Sequence, residues 1–117
     1  MDKREKFWLL LDQITQTHSI IIDRPKGSRH PRFRDYIYPL DYGYLEGVDS
    51  SDGDGADIWI GSLEQKRVTG IISSVDVLKG DVEIKILYAC TKDEIDLIYR
   101  DHNRTDNMIG LLNIRDK

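Results

Sequence analysis

The chain predicts a mainly β (α+β) fold: a small, closed or partly closed barrel of five or six short strands, with one helix near the N-terminus and one late in the order. Three observations lead there. Short β-branched runs recur between Gly, Pro and Asp turns, at the spacing of small barrels. Helical periodicity is confined to two segments. No alternation of strand and helix suggests a parallel sheet.

Residues 3–16 read as an amphipathic helix, with Phe7, Leu10, Leu11 and Ile14 spaced along one face. Residues 18–23 form a β-branched run and a strand. Residues 24–31 hold two prolines and a glycine and are loop. Residues 36–38 are a short strand candidate ahead of Pro39, and residues 43–48 a second. Residues 49–55 are turn chemistry throughout. Residues 56–60 are a strand stopped by Gly61. Residues 68–78 are a long strand, kinked at Gly70 or near the serines, and residues 79–81 are a hairpin-like turn. Residues 82–88 alternate: Val82, Ile84 and Ile86 take one face, and Glu83, Lys85 and Leu87 take the other. Thr91 and Glu94 form a capping box. The helix it opens is expected to reach about His102, with Ile95 and Ile98 inward. Residues 108–114 are the last strand.

A length of 117 residues suits one domain with its own core. With 39% apolar and 32% charged residues the composition is that of a folded, soluble chain. No apolar run approaches the ~20 residues of a membrane span, and no signal peptide is expected. The single cysteine, Cys90, excludes an internal disulfide and agrees with a cytoplasmic setting. It reads as a small residue near a strand end. The net charge of −4 argues against nucleic acid as partner. The charge is uneven, however: Arg24, Lys26, Arg29, Arg32 and Arg34 crowd one segment that lacks any acid before Asp35.

Four segments could carry chemistry. In Asp52-Gly53-Asp54-Gly55-Ala56-Asp57, three aspartates fall within six residues. Such a loop is either a solvated turn or a site for a hard, oxygen-seeking cation such as Mg²⁺. An EF-hand is excluded, because Asp57 and Leu63 would stand where that loop requires Gly and Glu. The tyrosines of Tyr38-Pro39-Leu40-Asp41-Tyr42-Gly43-Tyr44 could pack in a core or offer phenols to a phosphate, and Gly43 would let the backbone pass close to a neighbour. Asp81, Glu83 and Lys85 form a third cluster: Glu83 and Lys85, two apart, share a strand face, either as an exposed ion pair or as a metal and a phosphate contact. The basic segment is either a solvated loop or an anion cradle.

Taken in order, Asp23-Arg24-Pro25-Lys26-Gly27-Ser28, Tyr38-Pro39-x-x-Tyr42-Gly43-Tyr44 and Asp52-Gly53-Asp54-x-x-Asp57 resemble the soluble family I inorganic pyrophosphatases, in a short, compact form. The resemblance is specific over residues 20–61 and looser over residues 68–85. It implies a single domain of this kind over residues 1–117, folded as a small five-stranded OB-like barrel with an N-terminal helix and a late helix. It implies hydrolysis of pyrophosphate, or a related phosphoanhydride, to two phosphates by metal-activated water. Asp52, Asp54, Asp57, Asp81 and Glu83 would hold Mg²⁺, and Asp54 would be the base. Tyr42 would assist catalysis and bind phosphate. Lys26, Arg29, Arg32, Arg34, Lys85, Tyr99 and Arg100 would also contact substrate. A homo-oligomer is compatible with the resemblance, whereas nucleic acid and membrane are not expected partners. The second reading is a catalytically reduced module that binds a phosphorylated ligand or a protein. An OB-type nucleic-acid module is a third. The chain departs from the family pattern in lacking a hairpin before the Tyr-Pro motif, and in Asp23, Asp41 and Gly55, where Glu, Asn and Pro or Glu are usual.

Overall fold

A computed structural model describes residues 1–50 and 55–116. The element order is α1 (Lys3–Thr17), β1 (Ile20–Arg24), β2 (Asp41–Leu45), β3 (Ala56–Ile60), β4 (Val68–Asp76), β5 (Asp81–Tyr88), α2 (Lys92–Asp101) and β6 (Met108–Ile114). The six strands form one sheet in the order β1-β2-β3-β5-β4-β6. The mainly β class with two helices holds, but the expected five-stranded barrel does not. β6 takes the outer edge of β4 along Gly70–Asp76, so β4 has no edge left to close the sheet onto β1. The result is an open sheet bounded by β1 and β6.

One strand pair, β3 with β5, is parallel. The connection between them is a strand rather than a helix: β4 lies outside β5 and turns back through Gly80, whose φ is +70°. That is why no strand–helix–strand signal marks it. The register of β4 against β5 shifts between Val68 and Gly70, where the sequence places a kink.

Both faces of the central strands are covered. Ile58, Ile71 and Ile86 pack with Leu45, Val68 and Trp8 of α1. Their strand neighbours Trp59, Ile72 and Leu87 point the other way and pack with Ile95 and Ile98 of α2 and with Tyr38 and Leu40. Each such aliphatic side chain contributes about 1.5–3 kcal/mol when fully buried. α1 is rotated from its expected face: Trp8 is buried with Leu11 and Ile14 beside it, while Phe7 and Leu10 are about half exposed. Asp12 fixes that rotation, because its carboxylate accepts from the Val68 N–H at 2.9 Å and from the Arg115 guanidinium at 2.8 Å.

α2 begins as the sequence predicts. Thr91 Oγ1 accepts from the Glu94 N–H, and Glu94 Oε1 accepts from the Thr91 N–H. The same carboxylate oxygen accepts from the Ser62 N–H at 3.0 Å, tying the exit of β3 to the helix start. The strand expected at residues 36–38 reduces to one bridge, Arg29 with Ile37. Pro31 and Pro39 flank this segment and cannot donate to a ladder. Even so, Tyr38 exchanges backbone hydrogen bonds with Gly27 and Ser28, which lays the tyrosines over the α2-side face of the sheet.

Candidate active site

Strand register sets up the site. Tyr42 pairs with Trp59 and Tyr44 with Asp57, so side chains from β2 and β3 share one face. Ser74 pairs with Glu83 and Ile72 with Lys85, which puts Glu83 and Lys85 on that same face. Gly43 lets β1 and β2 close up, since a Cβ there would run into the Ile21 carbonyl. A cavity of about 490 Å³ opens on this face. Asp57, Glu83, Lys85 and Tyr42 line it, together with Trp59, Tyr36, Tyr38, Asp101 and His102.

Lys85 is the centre of the arrangement. Its Nζ stands 3.9 Å from the Glu83 carboxylate and 5.7 Å from the Tyr42 ring centre. It also lies 3.2 Å from His102 Nε2. His102 is 1% exposed, and its Nδ1 is 2.9 Å from the Ile98 carbonyl, which can only accept. The proton therefore sits on Nδ1, and Nε2 accepts from the Lys85 ammonium. Burial, then the Lys85 charge, pushes the imidazole down to about 4, so His102 is neutral at pH 7. Burial likewise lowers Lys85, while Glu83 and Asp57 favour its charged form.

The carboxylates crowd one another. Glu83 is pushed up to about 7, first by burial, then by hydrogen bonding to Asp57 and Asp81, against the pull of Lys85. Tyr42 is raised by burial, by the Asp57 charge and by its hydrogen bond to Asp57, so the phenol stays protonated and donates. Among the described residues no three His, Cys, Asp or Glu side chains converge on a metal point. The donor chemistry nevertheless fits a hard divalent cation. Every candidate ligand is a carboxylate, and Glu83 lies within hydrogen-bonding reach of both Asp57 and Asp81, so these carboxylates stand close together.

Not all of the expected site residues gather at this cavity. Asp52 and Asp54 lie outside the described residues. Asp81 does not line the cavity but reaches it through Glu83. Lys26, Arg29, Arg32 and Arg34 are also absent from the lining. Arg29 instead donates to the Arg34 carbonyl at 2.9 Å. Tyr99 and Arg100 sit on the exposed side of α2. In their place Arg24, Lys79 and Arg104 supply positive charge at the walls. Tyr36 donates to Asp101 at 2.6 Å and lies 5.4 Å under the Arg104 guanidinium. His102 went unread in the sequence, although it falls at the inward i+3, i+7 spacing set by Ile95 and Ile98. Gly55, at the loop's exit, has φ +91°, which no proline adopts. A Cβ there would also lie 2.8 Å from the Leu45 carbonyl.

No family model matches the chain. In sequence it is similar to the inorganic pyrophosphatase of Picrophilus torridus, 26% identical over 99 residues, with 65% of this chain and 55% of that protein covered. The chain thus spans about half the length of the curated relative it matches. In structure it is similar to the inorganic pyrophosphatase of Neisseria gonorrhoeae (TM-score 0.58, 19% identity, 81% of this chain and 80% of that one). It is similar also to that of Coxiella burnetii (TM-score 0.57, 16% identity, 84% of each). The inorganic pyrophosphatase of Helicobacter pylori gives a TM-score of 0.54 at 16% identity, over 81% of each chain. The fold is that of these proteins, in agreement with the resemblance carried by the motifs.

Proposed function

We propose that this chain, which has the fold of the inorganic pyrophosphatases, hydrolyses pyrophosphate or a closely related phosphoanhydride to two phosphates with Mg²⁺. One observation carries the reading. Lys85 is buried between Glu83 and His102, on the same face as Asp57 and Tyr42. Asp57 and Glu83, with Asp81, Asp52 and Asp54, would hold the metal. When bound, divalent cations neutralise the anionic substrate and acidify water for attack. Asp54 is proposed as the base that takes the water's proton. Lys85 offers the remaining hydrogens of its ammonium to the leaving phosphate and stabilises the charge that develops there. His102 fixes one of the three, which sets the direction of the others. Tyr42 donates to Asp57 and holds that carboxylate in place.

Phosphorus NMR of pyrophosphate with Mg²⁺ and the protein tests this reading. Conversion to phosphate is expected, and Asp54→Asn is expected to slow it by about 100-fold or more. No conversion, or equal rates in the two proteins, would sink the reading. Arg29, Arg32 and Arg34 of the basic segment lie outside the cavity lining, and this favours a second reading: a module that binds a phosphorylated ligand without turnover. Calorimetry showing tight pyrophosphate binding with no phosphate formed would select it.

A further inference from the structure

The cavity on the α2 side of the sheet has two chemically different ends. Asp57, Glu83 and Lys85 make the polar end. The next row on this face lies two residues further along β4, about 7 Å away. Ser74 pairs with Glu83, and Asp76 pairs with Met108. There the lining turns apolar and aromatic, with Leu78 and Met108 from the sheet and Phe33 and Tyr36 from the loop laid over it. His30 of that loop is held low by burial and then by the Lys79 charge, so the β4–β5 turn faces the loop across the cavity. Its ring lies 5.1 Å from that of Phe33. Phe33 is 54% exposed and Leu78 78% exposed, although both line the cavity. Pyrophosphate, small and anionic throughout, has no group for them. A cavity of about 490 Å³ falls in the range that takes a drug-sized ligand, ~300–1,000 Å³.

We infer that the phosphoanhydride taken here is a nucleoside diphosphate, with its terminal phosphate at the carboxylate end and its base against Phe33. The apolar surface is aromatic and open, and every nucleobase has a face to stack on it. The cations of the walls, Arg24, Lys79 and Arg104, suit a phosphate chain. The Arg104 side chain, 61% exposed over the Tyr36 ring, offers a second stacking plane. Two of the acids beside these cations are already engaged. Asp76 accepts from the Leu78 and Lys79 N–H groups, and Asp101 accepts from Tyr36. A nucleoside diphosphate is the smallest nucleotide that carries an anhydride bond as well as a base. The inference rests on the hydrolytic reading for the bond that breaks. The water oxygen bonds to the terminal phosphorus, and the bond from that phosphorus to the bridging oxygen breaks. The nucleoside monophosphate leaves with the bridging oxygen and the electron pair, and the proposed base, Asp54, takes the water's proton.

Calorimetry and turnover with the full chain and Mg²⁺ test recognition and hydrolysis separately. The α,β-methylene analogue of ADP, which cannot be cleaved at that bond, is expected to bind at least about tenfold more tightly than methylenediphosphonate, its counterpart without the nucleoside. Phe33→Ala is expected to bring the two ligands to equal affinity while methylenediphosphonate still binds as to the wild type, which guards against unfolding. Phe33→Trp keeps an aromatic face and is expected to retain the preference. Equal binding of the two ligands by the wild type, no binding of either, or a preference that survives Phe33→Ala would overturn the inference. In turnover, ADP is expected to give AMP and phosphate. Phosphate from pyrophosphate but none from ADP would overturn the inference and leave the hydrolytic reading standing. A preference for the nucleoside analogue with no phosphate from either substrate would overturn the hydrolytic reading and support nucleoside recognition.

Discussion

Lys85 and His102 meet through a 3.2 Å hydrogen bond whose direction is settled by the Ile98 carbonyl behind the imidazole. Removing the acceptor leaves a buried ammonium with fewer partners. His102→Leu is therefore expected to lower kcat of pyrophosphate hydrolysis by about tenfold or more. His102→Gln, which can still accept, is expected to restore part of the loss. The same residue links stability to pH. The unfolded chain takes up the imidazole proton near pH 6.5, whereas the folded protein takes it up only near pH 4. The His102 contribution is thus fully present above pH 6.5 and is lost as pH falls toward 4, by up to roughly 3 kcal/mol. Glu83 acts in the opposite sense, since its folded value is raised to about 7. The effect is therefore read as the difference in melting temperature between wild type and His102→Gln across that window. In the sequence, alternation along residues 82–88 sufficed to put Glu83 and Lys85 on one face. The approach of His102 did not follow from it, because that contact depends on how α2 lies across β5. The arginines of the basic loop were legible as charge but not as direction, and the backbone bonds of Gly27 and Ser28 to Tyr38 decide which cations reach the cavity.

Among the elements, α1 and α2 are anchored by different chemistry. α1 is held by a partly buried ion pair, Asp12 with Arg115, whose side chains are 14% and 10% exposed. Asp12→Ala strands the Val68 N–H and leaves the guanidinium with the Val68 carbonyl alone, so a loss of about 2–3 kcal/mol in urea unfolding is expected. α2 depends on its capping box. Thr91→Ala is expected to lower stability by about 1 kcal/mol and leave the fold intact, which denaturation midpoints would show. The cap was readable because it is local, four residues read in order. The Asp12–Arg115 pair joins opposite ends of the chain, and no local pattern marks it. That pair is also why the periodicity of α1 pointed to Phe7 and Leu10 instead of Trp8: the sequence alone does not show a polar residue pulled into the interface.

For the whole molecule, the six strands were legible along the chain because turn residues separate each β-branched run, whereas residues 36–38 make only one bridge and the sheet order with its parallel β3–β5 pair was not. Closure was not, because it depends on which edge β6 chooses. By pairing with β4 it opens the sheet, leaves one face under α2 for the candidate site, and leaves part of the other face bare. The carboxylate end of the cavity is proposed to hydrolyse a phosphoanhydride. Phosphate release from pyrophosphate with Mg²⁺, compared between wild type and Asp57→Asn, tests it most directly. The expected result is release by the wild type and a fall of about 100-fold or more in the variant, with an unchanged circular dichroism spectrum. Equal release by the two proteins, or none by the wild type, would contradict it.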